Sequence, residues 1–435
     1  VALFCLVGIY APFLASSKPL FAQYDGAWYF PLFRYLFFQG FYTKKVDLFF
    51  NILMFTFPFM VWFRKSVNVL LGLVALQFFL FVYFILFPLS DPASSPQLTL
   101  AKQAALQHAV PETWDFDLHY LSPYARLNLL LRQKVLQEQD VNLRQWSGNE
   151  NIQTLWQQQL NLEKQSSDRV YIESWRKWID REMPKVKYAV FPPLSHFHWE
   201  DDAGGDAALN QQIPWWKLTR INHKDLLAAL IFGVRISLVV GLLAVAIALA
   251  IGIPIGAYAG YYGGTFDIIV SRLLEIWESM PTFFMLLLIV AITQSKSIFI
   301  IILVIGLFGW TSFSRYVRGE FFKQRNLPYV EACHSLGFRD NFIMFSHILP
   351  NAIPPLLTLL PFAIMGAITS EAGLSFLGLG EENSGSWGVL MDEGRTAFPA
   401  QSYLLWPPAI ALTILLIAIA LVGDALRDTL DPRTH

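Results

Sequence analysis

Few residues in this chain have the type and spacing to do chemistry, and they are scattered. His196 and His198 stand two apart in HFHWEDD, beside Glu200, Asp201 and Asp202. Alternate side chains of an extended segment share a face, so the two imidazoles could approach a divalent metal from one side. A metal site needs a second ligand cluster and none is apparent, so a polar loop is preferred and no metal ligand is assigned. Arg235, Arg272, Glu275, Glu278 and Glu371 lie in or beside apolar runs, where ionisable groups are costly and need partners. The spacing of Arg272 and Glu275 suits an i, i+3 ion pair, and pairing at a membrane boundary is expected ahead of an ion pathway. No G-x-x-x-x-G-K-[ST] run is present to cradle a phosphate. Nor is there a Ser/His/Asp order, a pair of catalytic carboxylates or a CxxC. Cys5 and Cys333 are far apart, are expected to form no disulfide, and neither is placed like a nucleophile. The chain is therefore not expected to be an enzyme.

The elements that must position these residues belong to a membrane protein. Of 435 residues, 54% are hydrophobic and only 15% charged, which excludes an ordinary water-soluble globule. A net charge of −1 argues against nucleic acid as a partner. A spanning helix needs roughly 20 apolar residues. Windows at 46–63, 67–88, 230–258, 268–293, 298–314, 350–370 and 404–423 qualify. VALFCLVGIYAPFLA at the start reads as the remaining part of a further span, giving about eight in all. Between 315 and 347, Arg315, Arg318, Lys323, Arg325 and Arg339 outnumber Glu320, Glu331 and Asp340, which places that loop in the cytoplasm. Residues 380–402 carry Glu381, Glu382, Asp392 and Glu393 against Arg395, which suits the other side.

Counting back along the spans puts 91–225 outside the cytoplasm. LRQKVLQEQDVNLRQW and SDRVYIESWRKWIDREM within it have helical periodicity, as at Leu127, Leu130, Leu131 and Val135. A mainly helical extracytoplasmic insert is expected, either a cap or a docking platform. The Phe-rich, Gly-poor pair at 46–63 and 67–88 is expected to form a hairpin facing lipid. Gly252, Gly256 and Gly260 recur every fourth residue around Pro254, a small-residue stripe for close helix packing that could also serve as a pivot.

One stretch does not belong in lipid. In EACHSLGFRDNFIMFSHILPN, residues 331–351, Glu331, Ala332 and Cys333 can share a short helix that Gly337 ends or bends. A second amphipathic segment runs from Asn341 to His347, and Leu349, Pro350 and Asn351 open the next span. The outcome would be a helical hairpin at the cytoplasmic surface, fit to enter a groove on a soluble protein.

Glu331-Ala332-Cys333, Gly337 and His347-Ile348-Leu349-Pro350 resemble, at their spacing, the EAA motif of type I ABC importer permeases, with Cys333 in place of the usual second alanine. GVRISLVVG (233–241), GYYGG (260–264), ESMPTFF (278–284), EAGLSFLGLG (371–380) and SWG (386–388) are similar to the dipeptide, oligopeptide and nickel C-type branch. YDGAWYFP (24–31) resembles its YejE-like peptide and microcin C permeases. The likeness is nearly continuous over 225–433 and hardly touches 33–90. One departure is LTRINHKD (218–225), which keeps Thr219 and Asp225 of a GTDxxGRD-like run without its glycines.

The resemblance implies an all-α, polytopic chain with the type I ABC importer transmembrane fold, set multi-pass in a bacterial inner membrane. Its parts would be a first helix with a short periplasmic motif (1–32), an additional hairpin (33–90), the periplasmic insert (91–225) and a permease core (226–435). It implies ATPase coupling by Glu331, Ala332, Cys333, Gly337, His347, Leu349, Pro350 and Asn351, while core packing or gating by Gly252, Pro254, Gly256 and Gly260 rests on their spacing. The implied partners are a second homologous permease, two ATP-binding subunits and a periplasmic solute-binding protein, with lipid around and no nucleic acid. No cofactor would be bound by this chain, ATP and Mg being used by the ATP-binding subunits. The implied cargo is a peptide or peptide-like solute moved by alternating access. A secondary transporter and a membrane scaffold presenting the insert remain the alternatives.

Overall fold

Lipid forces a spanning segment to satisfy its backbone internally, and helices dominate the computed structural model. It describes residues 1–16, 20–24, 26–30, 32–33, 36–37, 44–89, 186–190, 192–194, 220–221, 224–293, 296–381, 384–396 and 405–430. His196, His198 and the helical patterns expected in the insert lie outside these residues.

Among the described residues, six helices are long and apolar enough to cross a membrane: Lys45–Trp62, Val67–Leu86, Leu226–Tyr262, Ile298–Gln324, Leu360–Leu379 and Trp406–Thr429. The pair Gly264–Ser279 and Thr282–Thr293, bent by 73°, makes a seventh if taken as one broken span. Its break falls where Met280 is extended before Pro281, the conformation a following proline imposes. The eighth span that the sequence suggests is the first apolar run. The first apolar run forms two short helices, Ala2–Ile9 and Ala11–Leu14, parted at Tyr10, with Pro12 in the first turn of the second.

Two further expectations are corrected. The window at 350–370 is not one span: Leu349–Leu357 is a separate helix, and the membrane-length helix runs from Leu360. Pro354, Pro355 and Pro361 each remove an N–H donor, so the backbone turns over Thr358–Leu359 rather than running on. The charged stretch that follows 314 is not loop at its start, since the helix continues to Gln324. Arg315 and Arg318 in it pair with Glu278 and Asp267 of the helix Gly264–Ser279.

Contacts divide the chain into two compact units. One holds Cys5–Arg235 with Ala397–Leu404, the other Val1–Phe4, Ile236–Thr396 and Leu405–His435. In the first, β1 (Phe21–Tyr24) and β2 (Ala27–Tyr29) form an antiparallel hairpin with Gly26 at φ +83 in its turn. β3 (Val186–Val190) pairs antiparallel with β1, Phe21 opposite Val190. The early motif and the far end of the insert thus share one sheet. This described piece of the insert is strand rather than helix and pairs with the early motif.

The hairpin Lys45–Trp62 and Val67–Leu86 belongs to the same unit. Val67–Leu86 buries only Gln77, in keeping with a lipid-facing helix. The Thr56 hydroxyl donates to Gln77 Oε1 at 2.7 Å, and Gln77 Nε2 donates to the Phe49 carbonyl at 2.9 Å, a polar clasp of the kind that joins helices in lipid. Lys45–Trp62 does more than face lipid. Its Asp47 pairs with Arg235, which is fully buried within the protein.

In the second unit a core of Ala257, Tyr261, Val317, Phe321, Val330, Cys333, Ile343, Met344, Ile348 and Leu356 joins the long helices to the segment after Leu327.

Candidate functional site

The helix Pro328–Ser335 begins where extended Leu327 precedes Pro328, a residue suited to the first helical turn. It ends as Leu336 N–H bonds to the Ala332 carbonyl at 3.0 Å and Gly337 N–H to His334 at 2.9 Å. Gly337 has φ +74, the left-handed conformation that closes helices and that a residue with a Cβ adopts at a penalty. Val330 and Cys333 point inward, 0% and 8% exposed. Glu331, Ala332, His334, Ser335 and Gly337 are exposed, as is Leu336 at 72%. Burial raises the pKa of the Tyr329 hydroxyl, which donates to Gln324 Oε1 at 2.7 Å.

The second arm runs from Asp340–Phe342 through a wide π turn at Ile343–Ile348 into Leu349–Leu357. The Leu349 N–H reaches back five residues to the Met344 carbonyl, just before Pro350, which has no N–H to give. Ile343, Met344 and Ile348 are wholly buried. His347 lies against the rings of Phe342 and Phe338, 5.2 and 6.0 Å away, and its backbone carbonyl accepts the Asn351 side-chain amide at 2.9 Å. Glu331 and Ala332 thus sit on the outer face of the hairpin, Cys333 on its inner face, and Gly337 at its tip. Leu349 is half-buried, and Pro350 and Asn351 are exposed on the following helix.

The helix Leu226–Tyr262 ends against this hairpin. Tyr261 Oη donates to Asp340 Oδ1 at 3.0 Å and lies 3.1 Å from His334 Nε2. Tyr262 Oη donates to Asp340 Oδ2 at 3.2 Å, and Tyr258 Oη to Asn341 Oδ1 at 3.1 Å. The same helix end is capped by Arg325, whose Nη1 donates to the carbonyls of Tyr261 at 3.1 Å and Gly260 at 3.3 Å, a cation where the helix dipole is negative. Sequence reasoning missed these tyrosines, Asp340, Asn341 and Arg325. The doubled tyrosine of GYYGG was a local signal, but its partners lie some 80 residues on.

The glycine stripe packs as its spacing suggests. A Cβ on Gly252, Gly256 or Gly260 would lie 2.7, 2.4 or 2.4 Å from the carbonyl oxygens of Trp310, Ser314 and Arg318, so the two backbones touch. The helix is continuous through Pro254. Beside it, Arg318 forms a two-point ion pair with Asp267, and Arg315 pairs with Glu278. Arg272 and Glu275 make the expected i, i+3 pair at 2.5 Å.

Glu371, 1% exposed, accepts hydroxyl hydrogen bonds from Ser375 and Ser386, each 2.7 Å to Oε1. Ser386 Oγ in turn accepts the Gly388 N–H at 3.2 Å, which ties SWG to the helix carrying EAGLS. Glu371→Leu strands both hydroxyls and is expected to lose about 1–3 kcal/mol of stability. Glu371→Gln keeps an acceptor oxygen and is expected to melt near the parent in a detergent thermal-shift measurement.

Comparison with known proteins bears on what this arrangement does. Residues 252–435 match the family described as binding-protein-dependent transport system inner membrane component. A peptidoglycan transport system permease protein YejE of Agrobacterium fabrum is 38% identical over 219 residues, 50% of this chain and 57% of that protein. The inner membrane ABC transporter permease protein YejE of Escherichia coli is 37% identical over 218 residues, 50% of this chain and 63% of its own. The oligopeptide transport system permease protein OppC of Escherichia coli is 38% identical over 245 residues, 56% of this chain and 81% of its own. The chain thus spans less than two thirds of the YejE relatives.

Proposed function

The chain belongs to the family of binding-protein-dependent transport system inner membrane components, and from that premise we propose that it is the membrane-spanning permease subunit of an ATP-driven importer. Its cargo is a peptide or peptide-like solute, in keeping with the oligopeptide transport system named for an OppC relative and the peptidoglycan transport system named for a YejE relative, and it moves inward by alternating access. The chain supplies the path and the lever. ATP and Mg are bound and used by two ATP-binding subunits, which act with a second homologous permease and a periplasmic solute-binding protein.

The observation that carries this reading is the hairpin at 328–351. Its inner face is locked into the helical core by Val330, Cys333, Ile343, Met344 and Ile348, while Glu331, Ala332, His334, Ser335 and Leu336 face outward. An anchored knob with a free outer face can dock in a groove of a cytoplasmic ATPase and pass on its movement as a rigid body. The stripe Gly252, Gly256 and Gly260 is the surface on which the helices pivot.

Gly337 tests it. No atom lies within 4 Å of where its Cβ would be, so a substitution acts through backbone strain alone. Gly337→Val is expected to strain the tip by about 1–2 kcal/mol, and Gly337→Asn by less. Uptake of labelled peptides and retention of the ATPase after detergent extraction should both fall for valine and be largely kept for asparagine. Both measures unchanged in the valine variant would refute the docking role.

A further inference from the structure

The hairpin is locked to the bundle by apolar contact on its inner face, and directional bonds can stiffen that union where it meets the helix Leu226–Tyr262. We propose that Tyr258, Tyr261 and Tyr262 are that joint: a three-hydroxyl coupling that makes the hairpin and the helix Leu226–Tyr262 move as one body. The proposal rests on the importer reading above and adds the residues that transmit the stroke.

Three observations carry it. The first is the geometry of the joint itself. At spacing i, i+3, i+4 the tyrosines lie on neighbouring positions of one helical turn. All three hydroxyls reach the hairpin, at 3.1 Å for Tyr258 to Asn341, 3.0 Å for Tyr261 to Asp340 and 3.2 Å for Tyr262 to Asp340. The second is that Tyr261 touches both arms. While donating to Asp340 it can accept from the His334 ring N–H, in the tautomer with the proton on Nε2, so one hydroxyl spans the turn at Gly337. An outward pull on either arm therefore loads the same side chain. Hydrogen bonds are directional, whereas apolar contacts slide, so this joint resists shear.

The third observation is what the opposite side of the helix does. Gly260 lies two residues from both Tyr258 and Tyr262, which on a helix puts it on nearly the opposite face. There the backbone meets the Arg318 carbonyl directly. The helix is thus held by hydroxyls toward the hairpin and, toward Ile298–Gln324, by a glycine stripe closed at its end by the Arg325 side chain. A displacement of the hairpin enters through the tyrosines and is expressed as sliding along the stripe. The rings support the arrangement: Tyr258 and Tyr262 stack with 8° between planes, and Tyr258 meets Phe345 edge-on at 6.0 Å.

The test uses the assembled transporter in proteoliposomes, with solute uptake and ATP hydrolysis measured together. Tyr261→Phe keeps the buried ring and removes only the hydroxyl. The joint requires that the ATPase still co-purify and hydrolyse ATP near the parental rate while uptake per ATP falls by about three- to tenfold. Asp340→Asn retains an acceptor and should keep the parental ratio; Asp340→Leu should lower it, and adding Tyr261→Phe to Asp340→Leu should lower it no further. These Asp340 variants decide the matter if Tyr261→Phe fails to assemble. A parental ratio in both Tyr261→Phe and Asp340→Leu overturns the joint, as does equal loss of assembly and uptake in all variants, the mark of a purely structural contact. A parental chain that neither retains an ATPase nor supports ATP-dependent uptake overturns the importer reading instead.

Discussion

Asp47→Ala is expected to destabilise the protein by about 3–5 kcal/mol, the usual penalty for stripping one partner from a buried ion pair. Arg235 is 0% exposed and its guanidinium is held on every side: Nε donates to the Gly8 carbonyl at 2.7 Å, Nη2 to Ile9 at 3.3 Å, and Nη1 to Asp47 Oδ1 at 3.1 Å. The rings of Phe232 and Phe50 lie 5.1 and 5.3 Å from its central carbon. The two carbonyls bring dipoles but no negative charge, so Asp47 is the one carboxylate in its described contacts. Without Asp47 the cation would keep carbonyl dipoles and aromatic rings but no carboxylate among its described contacts. Asp47→Asn keeps a hydrogen-bond acceptor and should fall between alanine and parent. Asp47→Leu combined with Arg235→Met removes both charges and should recover much of the loss, because the pair is dear to break and of small net worth to keep. Melting in detergent, followed by fluorescence size exclusion, reads all four proteins. An alanine variant that melts with the parent would show that the pair carries no weight. The additional hairpin thereby acquires a role that composition hides: it brings the counter-charge for an arginine of the GVRISLVVG motif.

Gly256→Leu is expected to abolish recovery of monodisperse protein, and Gly256→Ala to cost about 1–3 kcal/mol by overpacking. The reason is what a Cβ would strike. At Gly256 it would lie 2.4 Å from the Ser314 carbonyl oxygen and 3.1 Å from the Arg318 nitrogen, backbone atoms that no rotamer change can move aside. Relief requires the helices to part, and the contacts at Gly252 and Gly260 would part with them. Gly319 provides the control, since nothing lies within 4 Å of its Cβ position. Gly319→Ala should be neutral or stabilising by up to about 1 kcal/mol through helix propensity. Equal behaviour of Gly256→Ala and Gly319→Ala would refute close packing at the stripe. Under the importer reading, Gly256→Ala should also slow uptake more than it lowers stability, because the stripe is the surface that slides.

Sequence alone determined the features that depend on local pattern. Apolar length marked Leu226–Tyr262, Ile298–Gln324 and Trp406–Thr429 as membrane helices, since lipid imposes the same length on any chain. Spacing of four marked Gly252, Gly256 and Gly260 as a packing ridge, because side chains four apart share a face whatever they pack against. Gly337 between two amphipathic segments marked the turn of the hairpin, because a left-handed residue is needed to close a helix that sharply. Tertiary structure decided the rest. Hydropathy averages over a window and does not see a missing N–H, so the prolines at 350–361 moved the start of a span and split what looked continuous. Ion and hydroxyl pairs carry no sequence period. Asp47 with Arg235, and Tyr261 with Asp340, are joined across 188 and 79 positions of chain. The pairing of β1 with β3 likewise joins residues as distant in the chain as Phe21 and Val190. Such contacts exist only once the helices have chosen their neighbours, and that choice is a property of the packed fold, not of any one segment.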